Sequence, residues 1–173
     1  MSLIGLISDS HGRAAITRKG VGLLVQQGAQ ALVHLGDINS TAVLDELVVG
    51  DPNQPNQTIA AHVVFGNTDL DWPELARHAQ HLGLQVHHPM GYLPLTNDRG
   101  FFFTHGDQPD LLQQALERHP AYLCHGHTHR QTDIRQGDTR IINPGALCRA
   151  AIYSVALLNT DSDIVTFFPI QDP

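Results

Sequence analysis

Short apolar runs, each closed by a small or polar residue, set the rhythm of this chain. Residues 3–8, 31–35 and 59–65 read as buried strands. Residues 13–27 place Ile16, Leu23 and Leu24 among polar positions and predict a helix ending at Gly28. Residues 41–48 predict a short helix with Ser40 or Thr41 as N-cap. Residues 51–57, rich in proline and asparagine, form a loop. Pro73 suits the first turn of a helix running to about Leu82. Beyond it the pattern changes. Residues 84–87, 91–95 and 101–104 are short strands, with a turn at Asn97-Asp98. A helix over 109–118 precedes a strand at 122–125. Strands at 131–135, 139–142, 152–158 and 164–169 follow, separated by turns at Gln136-Gly137-Asp138, Asn143-Pro144-Gly145 and Thr160-Asp161-Ser162.

A βαβαβα first half thus leads into a largely β second half. The expected architecture is two packed sheets flanked by helices, with strand order open in both. There is no internal repeat or linker, and 173 residues suit one domain, 1–173, with a real core. No apolar span is long enough for a transmembrane helix. The first apolar run lacks a basic leader and continues straight into Ser8-Asp9, as a strand does and a signal peptide does not. Two cysteines, Cys124 and Cys148, are too few for a disulfide framework and read as buried small apolar residues. The expected compartment is therefore the cytoplasm.

Charge narrows the partners. The net charge is −7 and Lys19 is the sole lysine, so no positive stripe awaits a long nucleic acid. A compact anionic substrate fits better than a polymer. Histidine is the anomaly: twelve, against ten lysines and arginines together. His78, His81, His87, His88 and His119 stand in polar or turn-like contexts and receive no role.

The hexapeptide Cys124-His125-Gly126-His127-Thr128-His129 concentrates three of the other histidines. In an extended backbone His125, His127 and His129 would share one face, and neutral imidazole is a common transition-metal ligand. Acidic and amide partners stand at other strand ends: Asp9 and His11, Gly36-Asp37, Gly66-Asn67, and His105-Gly106. In open α/β sheets such ends gather in one crevice. The repeated glycine lets the backbone turn sharply and leaves room for a ligand. Two carboxylates, one amide and four imidazoles exceed the needs of one tetrahedral ion. They suit two ions bridged by one carboxylate, and Asp37 lies suitably between the others. Such pairs sit roughly 3.5–4 Å apart and favour in-line displacement at phosphorus. Two divalent ions, set against Asp9, Asp37 and a bridging hydroxide, leave about one net positive charge. That balance suits a phosphodiester monoanion.

The ordered set Asp9-x-His11, Gly36-Asp37, Gly66-Asn67-x-Asp69, His105-Gly106 and Gly126-His127-Thr128-His129 resembles the calcineurin-like metallophosphoesterase superfamily. Asn143-Pro144-Gly145 and the small size extend the resemblance to its small single-domain bacterial and archaeal phosphodiesterases. The resemblance implies an α/β four-layer α-β-β-α sandwich, with two mixed sheets between helices. It implies two divalent ions, drawn from Mn, Fe, Zn or Ni. Asp9, His11, Asp37 and His129 would hold one; Asp37, Asn67, His105 and His127 would hold the other. His125 matches no ligand and reads as a neighbour of the site or a surface residue.

Two departures stand out. Larger members carry histidine where Thr68 stands, and that group is thought to protonate the leaving alkoxide, help worth about 10²–10⁴-fold. Asp107 stands where a further histidine is frequent. The implied reaction is hydrolysis of a small phosphodiester by a metal-bridging hydroxide, with Asp37, Asn67, Asp69 and His105 at the chemistry. Asp69 either orients a ligand imidazole or caps its own loop. Arg130 either meets substrate or is solvated, Thr128 is a spacer, and Asn143-Pro144-Gly145 is a turn below the site. The rival readings are a phosphomonoesterase or protein phosphatase, a nuclease, and a non-catalytic protein-binding scaffold resembling a retromer subunit. Homo-oligomerisation stays open.

Overall fold

A computed structural model describes residues 2–54, 56–95 and 99–171. Fifteen elements follow the order read from the pattern: β1 (Leu3–Ile7), α1 (Ala14–Gln26), β2 (Ala31–Leu35), α2 (Thr41–Asp45), β3 (Ala60–Val64), α3 (Trp72–His81), β4 (Gln85–Val86), β5 (Met90–Leu93), β6 (Phe101–Thr104), α4 (Pro109–Leu116), β7 (Tyr122–Cys124), β8 (Thr132–Gln136), β9 (Thr139–Asn143), β10 (Tyr153–Asn159) and β11 (Ile164–Ile170). The expected turn at Asn97-Asp98 lies outside the described residues. Helix α2 is shorter than expected, and Ser40 takes its N-cap position without bonding the helix through its side chain.

Two mixed sheets result. The first runs β11-β10-β1-β2-β3-β4 and the second β5-β6-β7-β9-β8. In the first, β1 to β4 are parallel, while β10 and β11 join antiparallel. In the second, β6, β7 and β9 are parallel, and β5 and β8 flank them antiparallel. The alternation of each strand divides its side chains between two cores. Val33 and Leu35 of β2 meet Phe101, Phe103 and Tyr122 of the second sheet. Leu32 faces the other way, with Ile16, Val21 and Leu24 of α1. A smaller cluster, Phe102, Leu123, Ile141 and Ala115, seats α4 on the outside of the second sheet. The layers are therefore α-β-β-α, as expected. No helix among the described residues is long and apolar enough to cross a membrane.

An ionic cluster ties the sheets together at one end. Asp163, in the β10–β11 turn, bonds Arg135, Arg140 and Tyr122, and Arg140 also pairs with Asp133 at 2.7 Å. Burial, with Asp163 as hydrogen-bond partner, pushes the Tyr122 hydroxyl up to about 12. Several histidines assigned no role are structural. His78 pairs with Asp45 at 2.8 Å and links α3 to α2. His87 bonds buried His62 at 3.0 Å, and His88 stacks on Trp72, with 4.7 Å between ring centroids. Cys124 is buried as expected, whereas Cys148 is only partly so.

His34, wholly buried beneath the loop after β1, holds that loop from below. Its Nδ1 accepts the Gly36 N–H at 3.3 Å, so Nε2 carries the proton and donates to Ser10 Oγ at 2.8 Å. Burial pushes His34 down to about 3 and, with help from His87, His62 down to about 4. Both rings stay neutral in the fold but gain protons in the unfolded chain below about pH 6.5. A depressed folded pKa keeps its stability above the unfolded value and loses it as pH falls. Each ring should thus remove roughly 1.4 kcal/mol per pH unit below 6.5. Urea titrations of metal-free protein between pH 6.5 and 4.5 should show this decline, and His34→Gln should flatten the slope by about 1 kcal/mol per pH unit.

Candidate metal centre

Strands β1, β2, β3, β6 and β7 all discharge their carboxyl ends at one edge of the two sheets. The loops after them stay in register: Asp9 N–H donates to Gly36 O at 3.0 Å, His11 N–H to Asp37 O at 2.8 Å, and Gly126 N–H to His105 O at 2.9 Å. Two bonds cross between the sheets. His105 Nδ1 lies 2.8 Å from Leu35 O, and His127 N–H donates to Asp9 Oδ2 at 3.1 Å.

The backbone at these positions is not extended. Asp9, His11, Asp37, His127 and His129 have φ of 54°, 43°, 54°, 64° and 57°. This left-handed region is uncommon for side-chain-bearing residues, although Asp and His are among those that visit it. The alternation argument for His125, His127 and His129 therefore fails. β7 ends at Cys124, and left-handed residues, not a pleat, aim the two later rings.

Asp9, His11, Asp37 and His129 come together, each offering a ligand atom within 4.8 Å of the others. His129 Nε2 lies 3.2 Å from Asp9 Oδ1, and His11 Nε2 lies 3.4 Å from Asp37 Oδ2. The other Asp37 oxygen, Oδ1, lies 3.4 Å from His105 Nε2. Asn67 Oδ1 is 3.1 Å from the same nitrogen, and the His127 ring stands 5.2 Å from the His105 ring between centroids. Asp37 thus faces both groups, one through each oxygen. The first group is mostly buried; Asn67 and His127 face solvent.

Proton bookkeeping on this geometry points to cations. Leu35 O can only accept, so the neutral His105 ring carries its proton on Nδ1 and turns a lone pair toward Asn67 Oδ1 and Asp37 Oδ1. Likewise His11 Nδ1 donates to Asn39 Oδ1 at 3.0 Å, leaving Nε2 as an acceptor. Asp9 Oδ1 and His11 Nε2 are buried without a hydrogen-bond partner. Such orphaned acceptors are costly in the interior, and a divalent ion satisfies them. Burial raises the Asp9 carboxyl above the ordinary carboxylate range, against the opposing Ser8 hydrogen bond and the nearby histidines. A bound cation reverses that shift. The donor set, imidazole with carboxylate and amide oxygen, fits first-row divalent metals.

The motif glycines serve the ligands themselves rather than an incoming molecule. A Cβ at Gly66 would overlap Asp37 Oδ1 and lie 2.7 Å from His105 Nε2. A Cβ at Gly126 would overlap Ser8 Oγ and lie 2.7 Å from Asp9 Oδ2.

Supporting residues complete the arrangement, and here the sequence reading needs correction. Asp69 touches no ligand imidazole. Its carboxylate accepts from the backbone N–H of Gly66 at 2.8 Å, Ile38 at 3.2 Å and Asn39 at 2.6 Å. It caps the two loops and reaches His11 only through Asn39. Asn39 was missed, as was Ser8, which donates to Asp9 Oδ2 at 2.5 Å. Asn143 does more than turn the chain: its amide donates to Gly126 O at 2.7 Å and Thr128 Oγ1 at 3.1 Å, so Thr128 anchors the histidine loop and is no mere spacer. The available signal was position in the sequence: Ser8 directly precedes Asp9, and Asn39 follows Asp37 by two residues. His125 is half-buried, bonded to Gly126 O at 3.0 Å and packed on the loop carrying His105; it stands outside the four-residue group. Thr68 donates its N–H to Asp37 Oδ1 at 3.0 Å and shares its hydroxyl with Asn39.

Comparison with known proteins identifies the family and the fold. The chain is 24% identical over 164 residues to the phosphodiesterase MJ0936 of Methanocaldococcus jannaschii, covering 91% of this chain and 93% of that protein. It is 28% identical over 178 residues to the phosphodiesterase YfcE of Escherichia coli K12, covering 95% and 90%. Among solved structures, an archaeal phosphodiesterase superposes with a TM-score of 0.83 at 22% identity, covering 97% of this chain and 99% of that one; that likeness speaks for the fold. The model of the calcineurin-like phosphoesterase superfamily domain matches residues 2–163. With nearly its whole length matched and the buried Asp/His cluster at the ends of its parallel strands, the chain belongs to the calcineurin-like phosphoesterase superfamily.

Proposed function

We propose that this protein is a binuclear metal-dependent phosphodiesterase that hydrolyses a small phosphodiester. The observation that carries the reading is the Asp37 carboxylate, which turns one oxygen toward His11 and the other toward His105. Asp9, His11, Asp37 and His129 would hold one divalent ion; Asp37, Asn67, His105 and His127 would hold the other. When bound, the two ions supply Lewis acidity to the phosphoryl oxygens and a nucleophilic hydroxide at neutral pH. In the net reaction, water's oxygen forms a bond to phosphorus as one ester P–O bond breaks, giving a monoester and an alcohol. The chain's own residues hold and orient. Leu35 O and Asn39 Oδ1 fix the His105 and His11 rings so that their lone pairs face inward. Thr68 supplies no acid at neutral pH, so the preferred leaving groups need little protonation. The named phosphodiesterase relatives support the diester over the monoester.

Three tests follow. With added Mn²⁺, bis-p-nitrophenyl phosphate should turn over faster than p-nitrophenyl phosphate, and EDTA should abolish it. No turnover with any divalent metal would favour a protein-binding scaffold instead. Asp37→Ala should remove both ions by elemental analysis and lower the rate at least ~100-fold; a metal-loaded variant with near wild-type rates would exclude the bridge. Asn39→Ala should keep the circular dichroism of the fold but weaken Mn²⁺ binding by ~10–100-fold, because His11 loses its orienting partner. Thr68→His should accelerate hydrolysis of alkyl esters by ~10-fold or more while changing p-nitrophenyl esters less.

A further inference from the structure

Two clefts flank the metal centre, and their charge is opposite. The first, of about 510 Å³, opens beside His11 and Thr68 and is walled by Asp71 and Glu74. The second, of about 520 Å³, opens beside His129 and is walled by Arg130, Gln131 and Ile152, with no carboxylate among its lining residues. Arg149 lines both. A phosphodiester has two ester arms, so a phosphoryl group seated between the clefts can place one arm in each.

Arg149 is free to act on such an arm. Among the described residues its guanidinium makes no hydrogen bond or ion pair, and neither does that of Arg130. Other arginines are committed: Arg18 to Glu46, Arg135 to Asp163, and Arg140 to Asp133 and Asp163. Arg149 is exposed, yet its backbone is held. The Leu147 N–H donates to Ser8 O at 3.2 Å, next to Asp9, and Arg13 donates to Leu147 O at 3.2 Å. Arg149 itself sits at φ 51°, a conformation that costs free energy and persists where the surroundings impose it. In a chain of net charge −7, two unpaired guanidiniums beside the metal ligands form a local anion-binding wall. Guanidinium matches phosphate and carboxylate geometry through paired donors.

Resting on the phosphodiesterase reading, we propose that Arg149, assisted by Arg130, is a specificity-determining residue for phosphodiesters that carry a second anionic group, a phosphate or carboxylate, on one ester arm. That arm lies in the arginine cleft. Asp71 and Glu74 repel it from the other, which takes the uncharged or cationic arm. The polarity of the two walls thus fixes the direction in which an asymmetric diester binds.

The test uses Mn²⁺-loaded protein and two esters with the same leaving group: thymidine 3′-phosphate 5′-(p-nitrophenyl phosphate), whose retained arm is anionic, and p-nitrophenyl phosphorylcholine, whose retained arm is cationic. Wild type should favour the thymidine ester in kcat/KM. Arg149→Gln should lower the ratio of the two by about tenfold or more, chiefly through KM, and Arg149→Lys should keep much of it. Arg77→Gln, on the exposed face of α3, should leave the ratio unchanged. Equal losses on both esters, or an unchanged ratio in Arg149→Gln, would overturn the proposal. Calorimetry adds a readout without turnover. Thymidine 3′,5′-bisphosphate should bind wild type more tightly than thymidine 5′-monophosphate does, and Arg149→Gln should lose that preference. If no ester is hydrolysed, the phosphodiesterase reading fails while calorimetry still decides the anion preference. If esters are hydrolysed and neither ratio nor preference depends on Arg149, only the present proposal fails.

Discussion

Two buried carboxylates govern this structure. Asp9 is fully buried and Asp37 is 3% exposed, and they stand at the ends of adjacent parallel strands. Removing a carboxylate from water is expensive unless hydrogen bonds or an opposite charge offset the loss. Hydrogen bonds offset part of it here. Ser8 and the His127 amide serve Asp9 Oδ2, and the Thr68 amide serves Asp37 Oδ1. The remaining oxygens turn toward imidazole nitrogens, some of which carry lone pairs rather than protons. Acceptor facing acceptor is repulsive unless a cation lies between, so the chemistry of the centre follows from the way these groups are desolvated.

The same constraint explains why the sheets are arranged as they are. Parallel strands send all their carboxyl ends to one edge, and the stacking of two sheets doubles the number of loops that reach it. The inter-sheet core is rigid and aromatic, with Phe101 and Phe103 fully buried, so the loops above it are placed by packing. The loops after β1, β2, β6 and β7 then turn through left-handed residues, Asp9, Gly36 with Asp37, Gly106, and His127 with His129; the loop after β3 does not. An extended exit would carry the side chain away along the strand, whereas the left-handed turn brings Asp9, Asp37, His127 and His129 back over the sheet ends. Gly66 and Gly126 supply the space into which those side chains fold.

Much of this was legible in the sequence because it rests on local pattern. The strands needed only short apolar runs, and the candidate ligands were chemically conspicuous at their ends: Asp9, His11, Asp37, Asn67, His105, His127 and His129. What was not legible depends on contacts between distant segments. Asp69 and Asn39 lie thirty residues apart, and nothing in either neighbourhood announces that one carboxylate caps both loops. Asn143 read as a turn residue because its partners, Gly126 and Thr128, are joined to it only by the β7–β9 pairing. The direction of the His127 and His129 rings was misjudged for a different reason. Period-two reasoning applies while the backbone is pleated, and β7 stops before the first of them.

Thr68 shows how the choice of one side chain sets the work of its loop. A histidine at this position would project an acid into the cleft that Thr68 lines with His11. Threonine instead turns inward: its carbonyl and hydroxyl both take hydrogen bonds from the Asn39 amide, at 2.6 and 3.0 Å. Asn39 is thereby clamped between Thr68 and Asp69, with its Oδ1 left to hold His11. The loop exchanges a proton donor for a firmer grip on a ligand. On the proposed reading, rate on poor leaving groups is what such an arrangement would give up, and orientation of the His11 lone pair is what it secures. On the proposed phosphodiesterase reading, a centre built this way would depend for its speed on the leaving group being intrinsically stable as an anion, which would make the contacts to the retained arm the main means of choosing a substrate.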